Sequence, residues 1–305
     1  MPSNRRDLIF RVFVSSTFSD LVEERNALQA KTFPALREYC RLRGARFQAI
    51  DLRWGVSEEA ALDQQTMNIC RDELGRCQRL SPKPNFIVLL GNRYGWRPLP
   101  PQIDAREFEA LLAVLTKDEQ DRLAEWYRRD DNAVPPEYVL LPRKVDVPEN
   151  ADDEQRKQAR QNERDLWNQI ESDLHALLLK AAHQALEPGT PQHNTYVDSA
   201  THQEIRCGAL EAHQPEDHVF CYFREIHGLP ADDTAEGYRD MANGKPDKDA
   251  DHRLKALKDE LRGRLPKDHV HNYAATLQQD HPEYDLPTLC KDVEEDLRAV
   301  IAEGT

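Results

Sequence analysis

Two stretches of this chain are apolar at nearly every position: Asn85–Leu90 (NFIVLL) and His218–Phe223 (HVFCYF). A strand with one wet face alternates apolar and polar residues. A strand without alternation needs cover on both faces, as in a parallel sheet packed between helices. Three further runs read as strands, at Leu8–Val14 (LIFRVFV), Arg46–Asp51 (RFQAID) and about His269–Tyr273 (HVHNY). Helical patterns separate the strands. Leu21, Leu28, Leu36 and Tyr39 or Cys40 form one apolar stripe, and Ile69, Cys70, Leu74 and Cys77 form another. Strand–helix alternation of this kind specifies an α/β fold with right-handed crossovers.

Local signals mark the joints. Asp20 with Glu23 has capping-box spacing, Pro34 predicts a kink or restart within the first helical pattern, and Gly44 suits a helix stop. The rhythm breaks over about residues 99–197, too long for one connection. That stretch has helical patterns of its own, between Ala105 and Arg129 (with Thr116 and Glu119 as a capping box) and from about Asp152 to Leu186. It reads as a helical insertion after the third strand. The expected organisation is a first part of the α/β domain at 1–98, the insertion at 99–197, a second part at 198–290 and a helical linker at 291–305. The polar stretch 231–251 reads as a mobile loop.

Composition narrows the function classes. The longest clean apolar run is six residues, far short of the roughly 20 that span a membrane, and no signal-peptide core follows the basic start. Six cysteines show no paired spacing, which fits a reducing cytoplasm better than a disulfide framework or a zinc knuckle. The net charge of −14 divides unevenly: +5 over residues 1–100, −9 over 101–200 and −10 over 201–305. An acidic whole argues against direct nucleic-acid binding, while the mildly basic first third suits a small anion.

In open parallel sheets, ligands bind beyond the carboxyl ends of the strands, where strand order reverses. For a flavodoxin-like order 2-1-3-4-5 that point lies between strands one and three. Strand one exits into Ser15, Ser16, Thr17 and Phe18. Strand two exits into Arg53 and Trp54, and strand three into Gly91-Asn92-Arg93-Tyr94-Gly95-Trp96. Hydroxyls and backbone amides can hold phosphate, arginine can grip a diphosphate, and aromatic faces can stack a base. Each element also has an ordinary structural use, as turn, ion-pair partner or core filler. Neither glycine stretch matches GxGxxG or GxxxxGK[ST], which argues against an ATPase site in this chain.

Two glutamates compete as the acidic group. Glu204, in SATHQEI, is near the start of the helix that follows strand three, at the ligand end. Glu73 is mid-helix, where reach is poorer. Glu204 has a structural use too, because Thr201 and Glu204 are spaced as a capping box. The histidines show no metal-site spacing, and GxSxG is absent.

The segments RVFVSSTFSDLVEERN, FPALRE, DLRWGVSEE, FIVLLGNRYGW, SATHQEI and FCYFRE, in that order, resemble the N-terminal domain of NACHT–WD-repeat proteins. These include nephrocystin-like and telomerase-associated proteins, with relatives among bacterial STAND NTPases. The resemblance covers about residues 8–98 and 196–305 and leaves the insertion uncovered. That family is similar to Toll/interleukin-receptor (TIR) domains, which implies a five-stranded parallel sheet in the order 2-1-3-4-5. It also implies an effector domain of an immune sensor that self-associates through a downstream NACHT/STAND module, in the cytoplasm, without membrane or direct nucleic-acid contact. Many TIR domains cleave NAD⁺ with a glutamate in the helix after the third strand, which implies Glu204 here. NAD⁺ is then the substrate, and no further cofactor or metal is required. Ser15, Ser16, Thr17, Phe18, Arg53, Trp54, Arg93 and Tyr94 are the expected pocket residues. The alternatives are a non-catalytic interaction module and an N-glycosidase or transferase acting on another nucleoside or nucleotide.

Overall fold

The computed structural model describes residues 8–52, 62, 64–147, 150–278 and 281–305. The elements follow in chain order. Strand β1 (Leu8–Ser16) leads to α1 (Val22–Ala27), a π-helical turn (Leu28–Thr32) and α2 (Phe33–Arg41), then to β2 (Ala45–Ile50), α3 (Thr66–Leu80) and β3 (Phe86–Leu90). Next come β4 (Gln102–Asp104), α4 (Ala105–Ala113), α5 (Lys117–Ala124), β5 (Tyr127–Asp130), β6 (Glu137–Leu140), α6 (Asp153–Ala185) and α7 (Pro191–Val197). The chain continues through α8 (Ala200–Ile205), a second π-helical turn (Arg206–Leu210), β7 (Val219–His227) and a small hairpin of β8 (Met241–Ala242) and β9 (Lys245–Pro246). It closes with α9 (Lys248–Arg264), β10 (Val270–Gln278), β11 (His281–Tyr284) and α10 (Leu286–Gly304). Internal contacts divide the chain into two units, residues 1–55, 70–96 and 201–305 in one and 56–69 and 97–200 in the other.

The first unit is built on a six-stranded sheet in the order β11-β10-β7-β3-β1-β2. The β2–β1, β1–β3, β3–β7 and β7–β10 pairings are parallel, and β11 adds antiparallel to β10. The expected five strands are therefore six. The sixth, HPEY, is too short and polar to stand out in sequence. Alternate residues feed two cores. Phe10, Val12, Ile87, Leu89, Phe220 and Tyr222 meet apolar residues of α1, α2 and α10. Phe13, Phe86, Val88, Leu90, Val219, Cys221 and Phe223 meet those of α3 and α9. Two-sided cover is why β3 and the start of β7 tolerate no polar position.

Several expectations change at this level. β1 runs two residues past Val14, so Ser15 and Ser16 belong to the strand and sit beside Val88 and Leu89 of β3. The Asp20–Glu23 capping box does not form: the N-cap of α1 is Leu21, without a side-chain cap, and Asp20 turns inward instead. Pro34 does mark a restart, since it lies in the first turn of α2 just after the π-helical turn. Gly44 follows α2 with a φ of +71°. The last helix, expected as a linker, buries Val293, Leu297 and Ile301 in the first core. The stretch expected as a mobile loop carries the β8–β9 hairpin and the first turn of α9.

The second unit is not purely helical. It carries a three-stranded antiparallel sheet in the order β4-β6-β5. Its core joins Phe108, Leu111, Leu123, Tyr127, Trp167, Leu174 and Leu178. The Thr116–Glu119 capping box starts α5, and Asp152 with Gln155 starts α6.

Candidate functional site

Ser15, at the end of β1, and Glu204, in α8, are 189 positions apart in sequence and in direct contact: Ser15 Oγ donates to Glu204 Oε2 at 2.6 Å. Glu204 is only 9% exposed. The Cys70 thiol of α3 also hydrogen-bonds this carboxylate. Burial raises the pKa of Glu204 from an ordinary 4.5 to about 7. Its hydrogen bond from Ser15, the positive charge of Arg25 and the bond from Cys70 pull the other way, and the negative charge of Asp51 adds to the rise. Burial, with Glu204 as neighbour, pushes the Cys70 thiol far up, so it remains a thiol donor. The capping alternative for Glu204 is overturned. The helix already includes Ala200, so Thr201 is inside it rather than at its cap, and the carboxylate faces Ser15.

Arg25 of α1 ties the exits of β1 and β2 together. Its guanidinium pairs with Asp51, donates from Nε to Ser16 Oγ at 2.5 Å and from Nη2 to the Ser16 carbonyl at 3.2 Å. Thr17 Oγ1 donates to Asp20 Oδ1 at 2.5 Å. The three consecutive hydroxyls thus each serve a different buried charge of the protein: Ser15 a glutamate, Ser16 an arginine and Thr17 an aspartate.

A second buried charge system adjoins Asp20. Arg224 of β7 donates to Asp20 Oδ2 and to Glu24 Oε1, both at 2.9 Å, with all three side chains inaccessible to solvent. Tyr273 of β10 donates to the same Glu24 oxygen at 3.3 Å. Burial raises the pKa of both carboxyls against the pull of Arg224. Gly91, directly after β3, has Arg224 and Asp20 where a Cβ would stand. Lys258 of α9 donates to the Gly91 carbonyl at 2.7 Å. Burial, then the positive charges of Arg262 and Arg224, bring its pKa down to about 8.

The exit of β3 is fixed from another side. Asp240 accepts from the backbone N–H groups of Tyr94 at 2.6 Å and Gly95 at 3.1 Å, and from Arg93 Nε at 3.2 Å. Arg93 Nη1 also donates to Ser19 Oγ at 2.6 Å. Gly95 has a φ of +91°, and a Cβ there would lie 2.9 Å from the Thr17 methyl, so the turn requires glycine. Tyr94 is among the expected pocket residues. Its ring instead lies in the second core, and its hydroxyl bonds His202 Nδ1 at 2.8 Å. Phe18 and Trp96 are each 49% exposed. Arg53 and Trp54 lie outside the described residues. Glu73 pairs with Arg76 and Arg11, as its mid-helix position suggests.

Arg25, Asp51, Cys70 and Arg224 are the residues that sequence reasoning missed. Arg25 and Asp51 both fall inside the segments that carry the family resemblance, but nothing in their spacing pairs them. Among the described residues, no group of three or more His, Cys, Asp or Glu could hold a metal ion, and no helix is long and apolar enough to cross a membrane.

The first unit is thus an α/β domain with a mostly parallel sheet, in which the exit of β1 meets a buried glutamate. Residues 11–175 match the family described as a domain of unknown function, DUF4062, and the chain belongs to that family. The matched span extends into the stretch read as an insertion, as far as residue 175. NACHT and WD repeat domain-containing protein 2 of Homo sapiens is 32% identical over 266 residues, covering 82% of this chain and 15% of that protein. NACHT domain- and WD repeat-containing protein 1 of Mus musculus is 43% identical over 121 residues, covering 39% of this chain and 8% of that protein. Telomerase protein component 1 of Rattus norvegicus is 36% identical over 88 residues, covering 29% of this chain and 3% of that protein. The chain is related to a domain of NACHT–WD-repeat proteins and spans 15% or less of the length of these relatives. No solved structure matches it.

Proposed function

We propose that this chain is a TIR-like effector domain of a NACHT-type immune sensor, and that it hydrolyses NAD⁺ at the bond between nicotinamide and ribose. The observation that carries the reading is the buried Glu204 carboxylate, held by Ser15 at the carboxyl end of β1. In a reaction of this kind the C1′–N bond breaks and its electron pair leaves with nicotinamide, a good leaving group because the ring is cationic. Positive charge develops on the ribose, and a carboxylate in a water-poor site stabilises it. Water then adds to C1′ and loses a proton, giving ADP-ribose. Glu204 acts in its ionised form, and a pKa of about 7 leaves roughly half of it ionised at neutral pH. Self-association through a NACHT module elsewhere in the parent protein, in the cytoplasm, would be the switch.

The test is to incubate the chain, alone and within the assembled parent protein, with NAD⁺ and follow nicotinamide release beside a Glu204→Gln control. Release by the wild type and loss in Glu204→Gln is the expected result. Equal release from both removes Glu204 from the reaction. A second reading, a docking module without turnover, draws on Phe18 and Trp96, two large apolar side chains half exposed on the loops that leave β1 and β3. It gains if neither protein releases nicotinamide in the assembled state.

A further inference from the structure

We infer that Ser15 is a positioning residue for Glu204: its hydroxyl fixes the carboxylate in place and does not contact the phosphates of a ligand. The inference rests on the proposed NAD⁺ hydrolysis for its kinetic consequence, but its geometric content stands apart. Ser15 is the last residue but one of β1, its backbone is registered beside Val88 of β3, and its side chain has no solvent exposure. A hydroxyl has one proton to give, and that proton is committed to Glu204 Oε2 at 2.6 Å, a length typical of a bond to a charged acceptor.

Glu204 needs such a hold. Its helix is six residues long and runs directly into a π-helical turn. The hydroxyl that holds it stands on a strand inside the sheet, a rigid support. Among the described residues, the groups that act on the carboxylate come from four places: Ser15 from β1, Cys70 from α3, Arg25 from α1 and Asp51 after β2. Arg25 is tied directly to Asp51 and Ser16. Cys70 supplies only the weaker donation of a thiol. Of the two neutral donors, Ser15 is thus the stronger. It favours the ionised carboxylate, the form that can stabilise a cationic sugar, against the burial that disfavours it.

The experiment compares the wild-type chain with Ser15→Ala, Ser15→Cys and Ser15→Thr. Glu204 ionisation is read directly by infrared difference spectra of its carboxyl group, assigned by the signal lost in Glu204→Gln. Ser15→Ala should move the Glu204 titration to higher pH, Ser15→Cys should move it less, and Ser15→Thr should restore it. In nicotinamide release, Ser15→Ala should lower kcat about ten- to a hundredfold with KM little changed, the range expected for one lost hydrogen bond to a charged group. The acidic limb of the pH profile should move with the infrared titration. An unmoved titration in Ser15→Ala overturns the inference. So does a raised KM with unchanged kcat, the signature of a lost ligand contact. If the wild type releases no nicotinamide, the proposed hydrolysis falls, and the titration still decides whether Ser15 holds Glu204. Should Ser15→Ala not fold, Ser15→Cys, nearly isosteric, carries the same comparison.

Discussion

Replacing Glu204 by glutamine should stabilise the fold at high pH and leave it nearly unchanged at low pH. In the folded chain Glu204 titrates near 7, while in the unfolded chain it has the ordinary value of 4.5. Between these values the folded state holds a proton that the unfolded state has lost, so stability falls as pH rises through the window. Below 4.5 both states are protonated and burial of the neutral acid costs little. Above 7 the full penalty of a buried charge applies. At about 1.4 kcal/mol per pH unit, the span amounts to about 3 kcal/mol. Glutamine has nearly the same shape, accepts the Ser15 hydroxyl through its carbonyl oxygen and cannot ionise. The stability gap between Glu204→Gln and wild type should therefore grow from near zero at pH 4.5 to about 3 kcal/mol at pH 8. Urea unfolding at steps across that range measures it, and comparing the two proteins at each pH cancels titrations elsewhere. A gap that stays constant with pH would mean that the carboxyl ionises as freely folded as unfolded. The picture of Glu204 as a buried acid would then be wrong.

Arg224→Met should destabilise the first unit by about 3–5 kcal/mol in urea unfolding, because it leaves Asp20 and Glu24 buried around a missing cation. Gly91→Ala should cost about 1–3 kcal/mol in the same assay, since the added methyl must displace the Asp20–Arg224 pair. Of the six cysteines only Cys207 is exposed, so a thiol reagent should label one residue rapidly in the native chain and all six after unfolding, with peptide mapping naming the first. Two fast sites in the native chain would show that one of the buried thiols is open to solvent.

The sheet was legible because its signal is redundant. Every residue of FIVLL is buried, and slipping the strand by one position exchanges one apolar face for another without exposing a polar group. The meeting of Ser15 with Glu204 was legible for a topological reason: parallel strands deliver their exits to one rim whatever lies between them in sequence. The partners of those exits were not legible. Arg25 faces Asp51 and Arg224 faces Asp20 and Glu24 only once the helices have packed, and no periodicity distinguishes a buried arginine from one on a solvated helix face. Glu204 illustrates the limit from the other side, because THQE satisfies a capping box locally and only the nearby β1 reveals that the carboxylate serves elsewhere.

Three adjacent hydroxyls serving three separate charges explain why the exit of β1 is so densely polar for a buried strand end. An isolated buried ion is far too costly to keep, and each of these charges carries a direct partner: Glu204 has Ser15, Arg25 has Asp51 and Ser16, and Asp20 has Thr17 and Arg224. The partners are not equal. Arg25 and Asp20 sit opposite full countercharges, whereas the hydrogen bonds described for Glu204 come from the neutral donors Ser15 and Cys70, with the positive charge of Arg25 acting on it as well. Under the proposed hydrolysis, such a carboxylate would be the group that answers the positive charge developing on the ribose, a task that a lysine or arginine fixed opposite Glu204 would oppose.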